Sequence, residues 1–363
     1  MKFLLVPDSF KGSMSAQTVC KVWTEEISKA FPDAEIKAFP ACDGGEGTVE
    51  NLSSILGGKQ VSMMATDGNF ERKKASYAIV NKTAYIAVAN TSGLPETKIK
   101  DPKLTTTLGF GEQIKDAIGR GCDEVVLSLG GSSTNDGGAG ASCALGARFY
   151  DKEEAFVPTG GSLDKIDRID LNAFDKSIEN VRFLGLCDVK NPLTGKDGCS
   201  YVYAKQKGAE SAESRDELEK NMLAYAEKTA FLNVPKETEG AGAAGGLGYF
   251  VKAFLKGKLI SGADYFLDLI KFDEECADAD YILCGEGKFD ATSDSGKICG
   301  KIIERAVKHG KKTTVFCGIA EKTDGEDVSV YEISDKTKPL SYNMTNAVRN
   351  LRRTAKRFLS SIK

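Results

Sequence analysis

The β-α rhythm that appears at both ends of this chain, and is missing between them, constrains its fold more than any other feature. Near the start, Phe3 to Val6 form a short apolar run, and Ala16, Val19, Cys20, Trp23, Ile27, Ala30 and Phe31 then recur at helical spacing. "EIKAF" (35–39) alternates as a strand does, and Val49, Leu52, Ile55 and Leu56 mark a second helix closed by Gly57 and Gly58. The rhythm resumes with the strand "DYILC" (280–284), a helix through Ile298, Ile302, Ile303, Ala306 and Val307, and the strands "TTVFC" (313–317) and "VSVYEI" (328–333). A last helix carries Met344, Ala347, Val348, Leu351, Ala355 and Phe358 on one face. Neither end has enough strands alone, so the spacing predicts one five-stranded, doubly wound parallel sheet of an α/β fold, with 1–60 and 275–363 forming a discontinuous domain.

Residues 61–274 have a different texture and read as an inserted mixed α/β domain. "KKASYAIV" and "TAYIAVA" suit a hairpin, followed by a helix over 110–119, the strand "EVVLSL" (124–129), a polar helix near 210–229 and an apolar one near 246–256. With 363 residues, 41% of them hydrophobic, the chain can bury two cores.

Composition excludes several function classes. The net charge of -3 arises from 49 basic and 52 acidic residues mixed along the chain, so no basic stripe points to nucleic acid or an acidic membrane. The start "MKFLLVPDSF" has four consecutive apolar residues, too few for a signal-peptide core, and a cytoplasmic protein is expected. Ten cysteines are scattered without a C-x-x-C pair, and most should be reduced, buried and inert. The single histidine, His309 in "AVKHGKK", is expected at a helix end, which removes Ser-His-Asp, Cys-His and His-zinc chemistry. The cations of the last helix, Arg349, Arg352, Arg353, Lys356 and Arg357, are expected on a solvated face.

Acid-base work then falls to carboxylates and lysines, and these cluster with glycine. No window satisfies the Walker A pattern; "GKICGK" (296–301) is one residue short and lacks the hydroxyl. "GAGAAG" (240–245) matches a dinucleotide fingerprint but follows "NVPKETE", a poor buried strand, and reads better as a glycine-rich helix entry packed against a neighbour. Five strand-end loops remain: "PDSFKGS" (7–13), "CDGGEGT" (42–48), "LGGSSTNDGGAG" (129–140), "CDVKNPLTGKDG" (187–198) and "CGEGKFDATSDSGK" (284–297). Glycines let backbone N–H groups approach phosphate, lysines add charge, and carboxylates hold Mg²⁺ or accept a proton from an attacking hydroxyl, which together suits phosphoryl transfer.

"PDSFKGSMSA", "FPACDGGEGTVE", "TTTLGFGEQI", "LGGSSTNDGGAGA", "CDVKNPLTGKDGCS", "GAGAAGGLGYF" and "GEGKFD" with "SGK" occur in the order and spacing seen in the bacterial glycerate kinase family, and between Val6 and about Ile319 the chain resembles its glycerate 2-kinase type. The resemblance implies an ATP- and Mg²⁺-dependent enzyme that phosphorylates D-glycerate, usually at the 2-hydroxyl. It also implies a flavodoxin-like domain built from both chain ends, an inserted α/β domain likened to restriction-enzyme cores, and an active site in the cleft between them. The chain departs from the family pattern at Ala291, Thr292 and Ser293, where Gly-Gln-Thr is usual, and at Ala204 and Lys205, where Gly-Pro is usual.

Within that frame Asp188 is the first candidate for general base, with Lys11 and Asp43 as further catalytic groups. Ser9, Ser13, Asn135, Asp136 and Asn191 are candidates for glycerate, and Gly130, Gly131, Gly137, Gly285 and Lys297 for the nucleotide. Glu46, Glu286 and Asp290 are candidates for Mg²⁺. Competing readings are a glycerate 3-kinase, a nicotinamide-dependent oxidoreductase using "GAGAAG", and a non-catalytic binding protein for a nucleotide or sugar acid.

Overall fold

The computed structural model describes residues 1–41, 48–290, 297–321 and 324–363; Asp43 and Glu46 lie outside the described residues. The chain opens with strands β1 (Lys2–Pro7) and β2 (Glu35–Ala38), joined by the helix Ala16–Ala30. It continues through β3 (Lys59–Thr66), β4 (Arg72–Val80), β5 (Thr83–Ala87), β6 (Glu124–Ser128), β7 (Arg148–Asp151), β8 (Glu154–Phe156), β9 (Arg168–Asp170), β10 (Arg182–Leu186) and β11 (Lys258–Ile260). It closes with β12 (Tyr281–Phe289), β13 (Thr313–Ala320) and β14 (Val328–Glu332). Two compact units result: Met1–Asp43 with Ala263–Lys363, and Gly44–Gly262.

In the first unit five parallel strands are ordered β14-β13-β12-β1-β2, which within the unit is the flavodoxin-like order 2-1-3-4-5. The order reverses between β1 and β12, whose register pairs Val6 with Cys284 and Pro7 with Gly285. Ser15 caps the helix Ala16–Ala30 by accepting from the Thr18 N–H at 3.2 Å. Its apolar face buries Val19, Trp23 and Ile27 against Phe316, Leu351 and Phe358; Trp23 and Phe316 lie 5.1 Å apart, centroid to centroid. The strand expected at 280–284 runs on to Phe289, pairing as far as Ala320 of β13. Glycine permits that extension: a Cβ at Gly285 would stand 2.6 Å from the Phe316 carbonyl oxygen.

The second unit has a six-stranded sheet, β11-β10-β6-β5-β4-β3, in which β3, β4 and β5 are antiparallel and β5, β6, β10 and β11 parallel, and a small sheet β8-β7-β9. The helix Thr48–Leu56, expected on the chain-end sheet, packs instead on β4 and β5, with Val49 and Leu52 buried. Its apolar stripe fits either sheet, and periodicity alone does not choose. No strand precedes "GAGAAG"; a turn does, and the helix it enters, Ala243–Ala253, opens through three left-handed residues. The dinucleotide reading fails there, because that fingerprint works only between a strand and a regular helix N-terminus.

His309 is the C-cap of the helix Ile298–Lys308, with Gly310 left-handed behind it, as its sequence context predicts. Its Nε2 lies 3.2 Å from Asp273 Oδ1. Seven of the nine described cysteines are buried and all nine are free thiols. No helix among the described residues is long and apolar enough to cross a membrane.

Candidate active site

In the first unit, the carboxyl ends of β1 and β12 bring "PDSFKGS" beside "CGEGKF". The Asp8 N–H donates to the Gly285 carbonyl at 2.8 Å, extending the β1–β12 ladder by one residue and setting Asp8 next to Glu286. A tight turn follows: the Phe10 N–H donates to the Met14 carbonyl, and the Ser13 N–H and hydroxyl both donate to the Phe10 carbonyl at 2.8 Å. Lys11 stands exposed at the tip of that turn, where the chain enters the helix Ala16–Ala30. Ser9 is half-buried, its N–H donating to Asp8 Oδ1 at 2.6 Å.

Glu286 is buried, with Lys297 Nζ 3.9 Å from its Oε2, so a candidate metal ligand and a candidate phosphate-binding lysine meet across the strand end. Asp290 lies 3.2 Å from Lys288, which also binds Glu321. A carboxylate that sequence reasoning passed over, Asp8, shares this strand end; its place in "PDSFKGS" was the available signal.

In the second unit, the glycine-rich stretch after β6 is an internal element. Only Gly130 and Gly131 reach the surface, and 132–141 are buried. Asp136 is fully enclosed: Oδ2 accepts from the Thr107 N–H and hydroxyl, both at 2.8 Å, and from the Gly140 N–H at 3.3 Å, while Oδ1 accepts from the Gly138 N–H at 3.1 Å. Burial raises its carboxyl above the usual range, against the pull of those hydrogen bonds. Asn135 donates to Ser200 Oγ at 3.2 Å. Gly137 has φ +63°, and a Cβ there would lie 2.5 Å from the Tyr225 ring. These residues shape the loop from inside, so the bare backbone here serves close packing.

Beneath the loop lies a lysine missed in sequence, Lys207 of "QKGA". It is 2% exposed and donates to Ser132 Oγ at 2.9 Å and the Thr134 carbonyl at 2.7 Å, and burial pushes it down to about 8. Glu219, also missed, accepts from the Gly195 N–H at 2.5 Å and is raised by burial. Both come from polar helical segments whose pattern says exposed; only tertiary packing buries them.

Asp188 follows β10 and is half-buried. Its Oδ1 accepts from the Ser261 hydroxyl and the Gly262 N–H, each at 2.9 Å. Asn191, four positions beyond the strand's next residue, is engaged within its own loop: Nδ2 donates to the Asp197 carbonyl at 2.8 Å and Oδ1 accepts from the Tyr203 hydroxyl at 2.5 Å. This loop therefore offers a half-buried, oriented carboxylate on a braced backbone, suited to accepting a proton.

Comparisons with known proteins give these groups a context. The chain is 41% identical to a glycerate kinase of Bacillus cereus over 84% of its length and 82% of the relative's. It is 34% identical to a glycerate kinase of Bacillus subtilis over 100% and 98%, and 37% identical to the glycerate 2-kinase of Escherichia coli K12 over 88% and 85%. A crystal structure from Salmonella typhimurium LT2 that carries a glycerate kinase 2 designation superimposes with a TM-score of 0.86 at 34% identity, covering 100% of this chain and 98% of that one. The model of the glycerate kinase family matches residues 3–363, and the chain belongs to that family.

Proposed function

We infer that the protein transfers the γ-phosphoryl group of ATP to D-glycerate, at the 2-hydroxyl, giving 2-phosphoglycerate and ADP. The observation that carries this reading is the family match across residues 3–363, supported by the 37% identity to a glycerate 2-kinase. In the reaction the hydroxyl oxygen bonds to phosphorus, the bond from phosphorus to the ADP oxygen breaks, and the hydroxyl proton leaves to a base.

Asp188 supports the role of base. Two donors hold its Oδ1, so the carboxylate plane is fixed before substrate binds, which removes an orientational cost from proton transfer. Lys11, exposed at the tip of its turn, supplies a cation for a carboxylate or phosphate, and Ser9 and Ser13 beside it add hydroxyls. Gly130 and Gly131, the surface-reaching part of the glycine-rich stretch in the second unit, suit close backbone approach to nucleotide phosphates, and in the first unit Lys297 supplies a cation of the kind a phosphate needs. Asp43 and Glu46 keep the catalytic and metal roles that their motif suggests, outside the described residues.

Mg²⁺ usually takes one or two protein carboxylates and leaves its other positions to phosphate and water. Glu286 fits that demand, being buried at a strand end with Lys297 nearby, and Asp290 is the second candidate. Bound with the nucleotide, the ion would draw charge from the phosphate oxygens.

Incubation with ATP, Mg²⁺ and D-glycerate, followed by phosphorus and carbon NMR, tests the assignment. Glycerate-dependent ADP release with a 2-phosphoglycerate spectrum is expected. Absence of ADP overturns the kinase reading, and 3-phosphoglycerate overturns the 2-hydroxyl assignment.

A further inference from the structure

We propose that Ser261 is a positioning residue for the Asp188 carboxylate, fixing the direction in which it takes the substrate proton. This rests on the reading of Asp188 as base. Asp188 and Ser261 stand at the carboxyl ends of neighbouring parallel strands, β10 and β11, whose register pairs Leu186 with Ile260. The Cys187 N–H donates to the Ile260 carbonyl at 2.8 Å, carrying the ladder one residue further and leaving Asp188 opposite Ser261 and Gly262.

A plainer role for this contact is a helix cap. Gly262 is the first residue of the helix Gly262–Leu269, and its N–H needs an acceptor from outside the helix. Asp188 provides one, but a cap needs only that single bond. The Ser261 hydroxyl adds a second donor to the same oxygen, also at 2.9 Å. Two donors converging on Oδ1 from fixed directions set the carboxylate plane, and the plane sets where Oδ2 points. A cap gains little from that constraint, whereas a general base gains alignment with its proton.

Cap and base roles separate under substitution, because asparagine caps helices as well as aspartate but cannot accept a proton as a carboxylate does. Ser261→Ala, Ser261→Thr and Asp188→Asn would be compared with the unaltered full chain by steady-state kinetics and thermal unfolding. Ser261→Ala is expected to lower kcat about ten-fold with the KM for glycerate and for ATP unchanged, and Ser261→Thr, which keeps the hydroxyl, to restore most of it. Wild-type kcat in Ser261→Ala beside an inactive Asp188→Asn overturns the proposal and leaves Asp188 as base. A loss in Ser261→Ala that tracks both KM values and a lowered melting temperature, without rescue by threonine, overturns it in favour of the cap. Near-normal kcat in Asp188→Asn removes the base itself, a separate failure.

Discussion

Lys207 shows how far one side chain can depart from its sequence appearance. Within "QKGA" it reads as a surface lysine, yet it is 2% exposed and, among the described residues, bonded only to neutral oxygens, with the Asp136 carboxylate and the Cys199 thiol as the charged or titratable groups facing it. Burial lowers its proton affinity from the ordinary 10.5 to about 8, so between those values the unfolded chain holds a proton that the folded one has released. The unfolded state then binds more protons, and this residue's contribution to stability rises with pH across that window. Urea unfolding at pH 8 and pH 10 should show the rise as a difference from Lys207→Met, which has no proton to lose; equal pH slopes in the two proteins would refute it. Asp188→Asn belongs to the same scale, with an expected fall in kcat of about 10²- to 10⁴-fold and nucleotide binding intact by calorimetry.

Among the elements, the stretch from Ser128 to Gly140 and the last helix carry the clearest corrections. Gly138 has φ +78°, and a Cβ there would lie 2.3 Å from Phe250 Cβ, so Gly138→Ala combines backbone strain with a clash inside the core. About 2–4 kcal/mol of destabilisation is expected, measurable by chemical denaturation. The helix Ala347–Ser361 is amphipathic as its pattern predicts, but its polar face is not simply solvated. Arg352 pairs with Glu26 and, at 2.7 Å, with Glu25 of the helix Ala16–Ala30, and Lys356 reaches Glu26 at 3.8 Å. Burial pushes the Glu26 carboxyl up, but hydrogen bonds from Arg352 and Lys29 outweigh it and hold the carboxyl below the ordinary 4.5. That contribution is full above pH 4.5 and fades as the pH falls through the folded value. Arg352→Ala should lower stability at neutral pH, only in part, because Glu26 keeps Lys29 at 3.2 Å, and the deficit seen by chemical denaturation should shrink in acid.

At the scale of the whole molecule, the first unit depends on both chain ends. Its core joins Trp23 from the N-terminal part to Phe316, Leu351 and Phe358 from the C-terminal part. Ending the chain after Asn346 removes the buried Leu351, Ala355, Phe358 and Leu359. Hydrogen exchange should then accelerate in β1 and β12 to β14 while β5, β6 and β10 stay protected, because the second unit buries a core of its own. Uniform acceleration in both sheets would show that the two cores unfold as one.

The sequence by itself determined the five strands of the discontinuous sheet, the β4–β5 hairpin and the motif order, because these follow from short-range periodicity, turn chemistry and local spacing, whereas β3 and the short strands β7 to β9 and β11 carry too little pattern to be read. It also presented Asp188 and Glu286 as candidates, since each sits in a glycine-bearing loop at the end of an apolar run. Tertiary structure alone decided which sheet the helix Thr48–Leu56 covers, that Asp136 and Lys207 face inward, and that Ser261 meets Asp188 across 73 residues of chain. The physical reason is one of range: an amphipathic stripe or a polar side chain specifies that a partner is needed, while the identity of that partner depends on which surfaces the folded backbone brings within hydrogen-bonding or packing distance.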